Sequence, residues 1–222
     1  MREPRAAAAG VETVVKLGGG LLADAARIDA VLARIAAAAP THRLLVVPGG
    51  GPFADAVREV DRRLGLSDDA AHWMAVLAMD QHAHLIAARL SGAVLVAGGA
   101  ADAPGAIAAA LGAHRVPVLA PARWLREADP LPHSWDVTSD SIAAWVAGAV
   151  GARRLVLIKP PQASGGNLVD AYFARALPAG IVPTLVRADQ DAALDAALRG
   201  PEGSDPCSRG QTPPCAGRPE GR

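Results

Sequence analysis

The 222-residue chain is poor in the residues that mark specialised surfaces. Only 3% are aromatic and two are cysteine; Lys+Arg (22) balances Asp+Glu (22), leaving no formal net charge. With no basic excess there is no electrostatic footprint for nucleic acid, and with no acidic excess no solvating tail. The longest uncharged apolar stretch, Ser141–Ala152, falls well short of the ~20 residues that a membrane helix needs. The opening MREPRAAAAGVE has no apolar h-region, so no signal peptide is expected and a cytoplasmic location is. Cys207 and Cys215 both fall in a Gly/Pro/Ser/Arg-rich stretch without apolar periodicity, the composition of a disordered tail. A flexible N-terminus (1–10), one domain (11–199) and a disordered tail (200–222) are therefore expected.

What is present is aliphatic and small: 51% of the residues are hydrophobic and 51 are alanine. Short apolar runs alternate with helical patterns. Val11–Leu17, Arg43–Val47, Ala93–Ala97, Val116–Leu119, Arg154–Ile158 and Pro183–Val186 read as strands. Helices are expected over Asp24–Ala38, from Pro52 to about Arg63, over Asp68–Leu90, around Gly105–Leu111, and from Thr138 or Ser139 to Val150. Two more are expected near Val169–Leu177 and over Gln190–Leu198. Ser67 is placed to cap the long helix, whose Val76, Met79, Ala83, Ile86 and Leu90 recur on one face. Strands apolar on both faces and separated by helices imply an α/β fold with a mostly parallel central sheet, covered on both sides.

Two features carry chemistry. Of the 22 basic residues, 20 are arginine; the two lysines are Lys16, at the end of the first strand, and Lys159, at the end of Arg154–Ile158. Ligands of open α/β sheets bind beyond the carboxyl ends of strands, so both lysines face the expected crevice. Lysine is a compact charge on a long stem, able to follow a phosphoryl group in transit. The second feature is a pair of strand–glycine–helix turns, Gly18-Gly19-Gly20 and Gly49-Gly50-Gly51, whose backbone N–H groups can approach an anion. Each also matches the dinucleotide pattern G-x-G-x-x-A, but the strand that should then end in an acid ends Val46-Val47-Pro48. No P-loop motif occurs.

Asp140, at the mouth of an apolar helix, reads either as a capping acid or as a carboxylate orienting the two lysines. The six histidines show no metal-ligand spacing and are read mostly as structural or solvent-facing. Trp73 is expected in the core.

Val15-Lys16-Leu17-Gly18-Gly19-Gly20, Val47-Pro48-Gly49-Gly50-Gly51, Thr138-Ser139-Asp140 and Lys159, in this order, resemble the amino acid kinase family over about residues 11–199. PGGGPFADAVREVD, AHWMAVLAMDQ and LPHSWDVTSDSIAAW most resemble the branch acting on a furan phosphate in methanofuran-type one-carbon cofactor biosynthesis. The resemblance implies a three-layer sandwich and an ATP-dependent kinase with Mg²⁺ carried by the nucleotide. A small phosphate monoester would become its diphosphate. It also implies a homo-oligomer and no metal held by the protein. Lys16 would neutralise the transferring phosphoryl group, Lys159 would hold nucleotide phosphate, and Asp140 would orient both. Gly18, Gly19 and Gly20 would bind phosphate; Gly49, Gly50 and Gly51 would face the acceptor, with Arg58 an extra cation and Asp55 a contact for a substrate amine.

Two departures stand out. The first turn ends in Gly20 where many relatives have serine, and no lysine follows Lys159. A different acceptor, such as a carboxylate or nucleoside monophosphate, is one rival reading. A non-catalytic nucleotide- or oxyanion-binding protein on the same fold is another.

Overall fold

The computed structural model describes residues 10–163 and 168–200. The expected N-terminal flexible segment up to residue 9, and the tail with Cys207 and Cys215, lie outside these residues. Six strands form one sheet in the order β3-β4-β2-β1-β5-β6: β1 (Thr13–Leu17), β2 (Leu44–Pro48), β3 (Ala93–Val96), β4 (Val116–Leu119), β5 (Arg154–Lys159) and β6 (Val182–Arg187). Every pairing is parallel. Parallel neighbours need crossovers; of the eight α-helices among the described residues all but the last lie between strands. These are α1 (Ala25–Ala38), α2 (Gly51–Leu64), α3 (Asp68–Arg89), α4 (Ala103–Gly112), α5 (Ala122–Ala128), α6 (Ser139–Ala149), α7 (Phe173–Ala176) and α8 (Asp191–Arg199).

Side-chain alternation along each strand divides the core in two. Val14, Leu45, Val47, Leu119, Leu155 and Leu157 pack with α4, α5, α6 and the first half of α3. Val15, Leu17, Leu44, Val46, Val118, Val156 and Ile158 pack with α1, α8 and the second half of α3. The stripe read on α3 is buried throughout, with Val76, Met79, Ala83, Ile86 and Leu90 each at most 4% exposed. It serves both clusters because a 22-residue helix crosses from one to the other.

Several expectations need correction. The strand β6 is the sheet edge, and Val182–Leu185 are exposed, so it is not covered on both faces. Pro183 is tolerated there because an edge strand has ladder donors to spare. The helix expected over Val169–Leu177 shrinks to the four residues of α7. The α5 helix was not read at all: its seven residues are too few for a periodic signal. The α6 N-terminus is not capped by Thr138 or Ser139; Asp170 supplies the acceptor from 29 to 32 residues away.

The chain steps from β1 outward to β2 on one side, and from β5 outward to β6 on the other. The strands β1 and β5 are neighbours, with Leu17 opposite Ile158. Their carboxyl ends therefore form the topological switch point, where an open α/β sheet leaves a crevice.

Leu45, the second residue of β2, is fully buried. Leu45→Ala is expected to cost about 2–5 kcal/mol through lost burial and an unfilled cavity, read as a lower midpoint in urea denaturation.

Candidate active site

Lys16 shares strand parity with Val14, and Lys159 with Leu155 and Leu157, so both side chains leave the sheet on the α6 side. Asp140, in the first turn of α6, lies between them. Lys16 Nζ is 2.9 Å from Asp140 Oδ1, and Lys159 Nζ donates to Asp140 Oδ2 at 2.6 Å. All three are buried, at 4%, 4% and 8% exposure for Lys16, Asp140 and Lys159. Burial alone would raise the Asp140 carboxyl; the two ammonium groups override it and hold the group below its ordinary value. Lys159 is lowered, first by burial and then by repulsion from Lys16, with Asp140 opposing both. One carboxylate against two ammonium groups leaves one net positive charge at the switch point.

Asp170, which the sequence reading did not single out, holds α6 in place. Its Oδ2 accepts from Thr138 N–H at 3.0 Å, Thr138 Oγ1 at 2.8 Å and Ser141 N–H at 3.0 Å, while Oδ1 accepts from Ser141 Oγ. A carboxylate so bonded at a helix N-terminus fixes the turn that presents Asp140.

The two glycine turns touch. A Cβ on Gly19 would sit 2.1 Å from Gly51 N and 2.3 Å from Gly51 Cα, so any side chain there would part them. Gly51 itself has φ +57°, a left-handed conformation that favours glycine. The N–H groups of Gly18 and Gly49 are already engaged, donating to Ile158 O and Leu17 O at 2.8 Å each. Among the described residues the helix-start amides of Gly19, Gly20, Gly50 and Gly51 have no such carbonyl partner. At Gly20 a Cβ would come within 3.2 Å of Pro160 Cγ. A serine here would need the Pro160 ring to give by a few tenths of an ångström.

His82 also lay outside the candidate set. It is fully buried on α3, and its Nδ1 lies 2.5 Å from Gly49 O. A carbonyl only accepts, so Nδ1 carries the proton. Burial lowers the ring's pKa and keeps it neutral, with Nε2 unpartnered among the described residues. His82 thus ties the second glycine turn to α3. Two histidines two residues apart on a helix gave no sign of this.

A cavity of about 200 Å³ opens beside the turns. Gly19, Gly20, Gly50, Gly51 and Ser139 line one end; Asp55, Arg58, Asp68, His72 and Trp135 line the other. Lys16, Asp140 and Lys159 are buried and do not line it, although Ser139 and the first turn do. Asp55 and Arg58 pair at 2.7 Å, both well exposed. Trp73, expected in the core, packs against it while half-buried. Its Nε1 donates to Asp69 at 3.2 Å, and it packs edge-on against His72 and His133 with Arg126 over its ring.

With this geometry in place, the comparisons with known proteins define the class. The family model described as "Amino acid kinase family" matches residues 12–160, and the chain belongs to that family. Among individual relatives, the chain is 29% identical over 147 residues to (5-(aminomethyl)furan-3-yl)methyl phosphate kinase of Methanocaldococcus jannaschii. That match covers 65% of this chain and 63% of the relative, so it spans less than two thirds of the relative's length. The fold is similar to uridylate kinase from Archaeoglobus fulgidus, with TM-score 0.61 and 19% identity, over 86% of this chain and 96% of that one. It is also similar to UMP kinase from Bacillus anthracis, with TM-score 0.63 and 13% identity, over 84% and 91%.

Asp140→Asn keeps the shape but leaves two buried ammonium groups without their shared counter-charge. A loss of about 3–5 kcal/mol in urea denaturation is expected, partly restored by inorganic phosphate. A second expectation concerns His72, lowered to about 4 by burial and then by repulsion from His133. The unfolded chain takes up a proton near 6.5 that folded His72 refuses until about 4. This contribution to stability is complete above pH 6.5, declines between 6.5 and 4, and is flat below. His72→Gln is expected to shrink the difference in Tm between pH 7.5 and pH 5.

Proposed function

We propose that the chain is an ATP-dependent phosphotransferase whose acceptor is a small phosphate monoester, (5-(aminomethyl)furan-3-yl)methyl phosphate, converted to its diphosphate. The observation that carries the reading is the Lys16–Asp140–Lys159 cluster at the switch point, beside two glycine turns in contact. A reaction between two polyanions needs cations above all, and phosphoryl transfer is mostly positioning and charge neutralisation. An acceptor phosphate oxygen attacks the γ-phosphorus of ATP while the bond from that phosphorus to the β–γ bridging oxygen breaks, and ADP leaves. No general base is required, because the attacking phosphate is already ionised at neutral pH.

In this reading Lys16 follows the phosphoryl group from donor to acceptor and Lys159 holds the donor's phosphates. Asp140 keeps the two ammonium groups apart and aimed until phosphate arrives. The flexible lysine stem lets a buried ammonium exchange part of its contact with Asp140 for a phosphate oxygen. Gly19 and Gly20 present amides to the transferring group, and Gly50 and Gly51 present theirs to the acceptor. Arg58 and Asp55, paired with each other at 2.7 Å, line the cavity beside the acceptor. Mg²⁺ would arrive bound to the phosphates of ATP: both oxygens of Asp140 are engaged by lysines, so that acid is a poor metal ligand. The acceptor is favoured by the Methanocaldococcus relative and by a cavity sized for a small molecule.

The decisive measurement is ADP release from Mg·ATP with a panel of acceptors: the aminomethylfuran phosphate, uridylate, isopentenyl phosphate, acetylglutamate and carbamate. Turnover with the furan alone is expected. ATP binding without turnover of any acceptor would favour a binding protein instead. Lys16→Arg keeps the charge but not its compact mobility, and is expected to lower kcat by about three decades, or about 4 kcal/mol.

A further inference from the structure

We propose that the outer end of the cavity is a recognition subsite for a primary ammonium carried on a small flat ring, with Asp68 as its counter-charge and His72 and Trp135 as its walls. The proposal rests on the phosphotransferase reading above and assigns the part of the acceptor remote from the phosphate.

Both walls are held from behind. Trp135 Nε1 donates to Asp61 Oδ2 at 2.7 Å, and the Arg58 guanidinium lies 4.9 Å from its ring centre. His72 stacks on His133 with centroids 4.2 Å apart and planes 15° from parallel. His133 is itself fixed, with Nδ1 2.7 Å from Asp69 and Nε2 2.9 Å from Asp129. Trp73 closes the group edge-on at 5.0 Å from each histidine. His72 and Trp135 line the cavity, and His133 and Trp73 pack against His72. Rings immobilised before binding take a flat ligand without further loss of rotamer freedom.

The charge at this end is unbalanced in one direction. Three charged residues line the cavity: Asp55, Arg58 and Asp68. Asp55 and Arg58 satisfy each other at 2.7 Å. Asp68, exposed in the first turn of α3, has no ion pair or side-chain hydrogen bond among the described residues. Its neighbour Asp69 is turned to Trp73 and His133, and the helix N-terminus is already capped by Ser67 Oγ, which accepts from Ala70 N–H at 3.3 Å. His72 is neutral at pH 7, so the wall beside Asp68 does not repel a cation. The cavity therefore runs from glycine amides at one end to an unmatched carboxylate at the other. A ligand that is anionic at one end and cationic at the other fits both. A nucleoside monophosphate, which has no cation, would leave Asp68 unmatched.

The test is steady-state kinetics of the full chain with Mg·ATP and two acceptors: (5-(aminomethyl)furan-3-yl)methyl phosphate and its analogue with methyl in place of aminomethyl. Asp68→Asn is expected to raise KM for the amine about tenfold, the usual scale for losing a charge-assisted contact, with kcat and KM for ATP within about twofold. The wild-type chain is expected to bind the methyl analogue as weakly as Asp68→Asn binds the amine, and the substitution should leave the analogue's KM unchanged. Asp68→Glu should recover part of the preference. Equal effects of Asp68→Asn on both acceptors, or no effect on either, would overturn the subsite while leaving the kinase reading intact. Absence of wild-type turnover with both acceptors would remove the kinase reading and this proposal together. Unchanged Tm of Asp68→Asn confirms that Ser67 and Asp69 suffice for the helix start.

Discussion

A single carboxylate shared by two buried ammonium groups is the constraint on which the rest of the site depends. Asp140 has Lys16 at 2.9 Å and Lys159 at 2.6 Å, with all three nearly out of solvent. Two like charges could not occupy adjacent strand ends in such a place without it, because burial and mutual repulsion act together against the ammonium form. The arrangement is incompletely neutralised by one charge. That surplus is what makes Asp140 hard to replace.

Much of the surrounding architecture secures this cluster. The strands β1 and β5 must be neighbours for the lysines to meet, and alternation must send both side chains to the α6 face. Asp170 then anchors the first turn of α6 through Thr138 and Ser141. His82 ties Gly49 to α3, and the contact between Gly19 and Gly51 sets the separation of the two turns. These contacts come from seven different elements or loops, so the rigidity of the site is a property of the whole sheet and its covering helices. Preorganisation of this kind places charge before the reaction needs it.

The two ends of the cavity are built on different principles. Near the glycine turns the polar groups are backbone amides, whose positions follow from the chain path. At the outer end they are side chains, several of them paired and stacked on one another. The first end is set by Gly19, Gly20, Gly50 and Gly51, and the second by Asp55, Arg58, Asp68, His72 and Trp135.

The sequence by itself determined the α/β class, the parallel sheet and the two glycine turns, because apolar period and glycine runs are local signals. It also marked Lys16 and Lys159, since two lysines among 22 basic residues at strand ends are visible without any coordinates. Asp140 was legible only as a helix-start acid with two possible roles; adjacency of β1, α6 and β5 is what set it between the lysines. Asp170, His82 and the His72–His133 stack were not legible, because each depends on a partner 29 to 64 residues away or on a backbone carbonyl. Trp73 packs against the core as expected but is only half-buried, because its indole also faces His72, His133 and Arg126. Which glycine amides remain free was likewise a tertiary matter, decided by pairing of Gly18 with Ile158 and Gly49 with Leu17. Local pattern sets what each segment becomes; only the packing of distant segments sets which charges and rings must share a space.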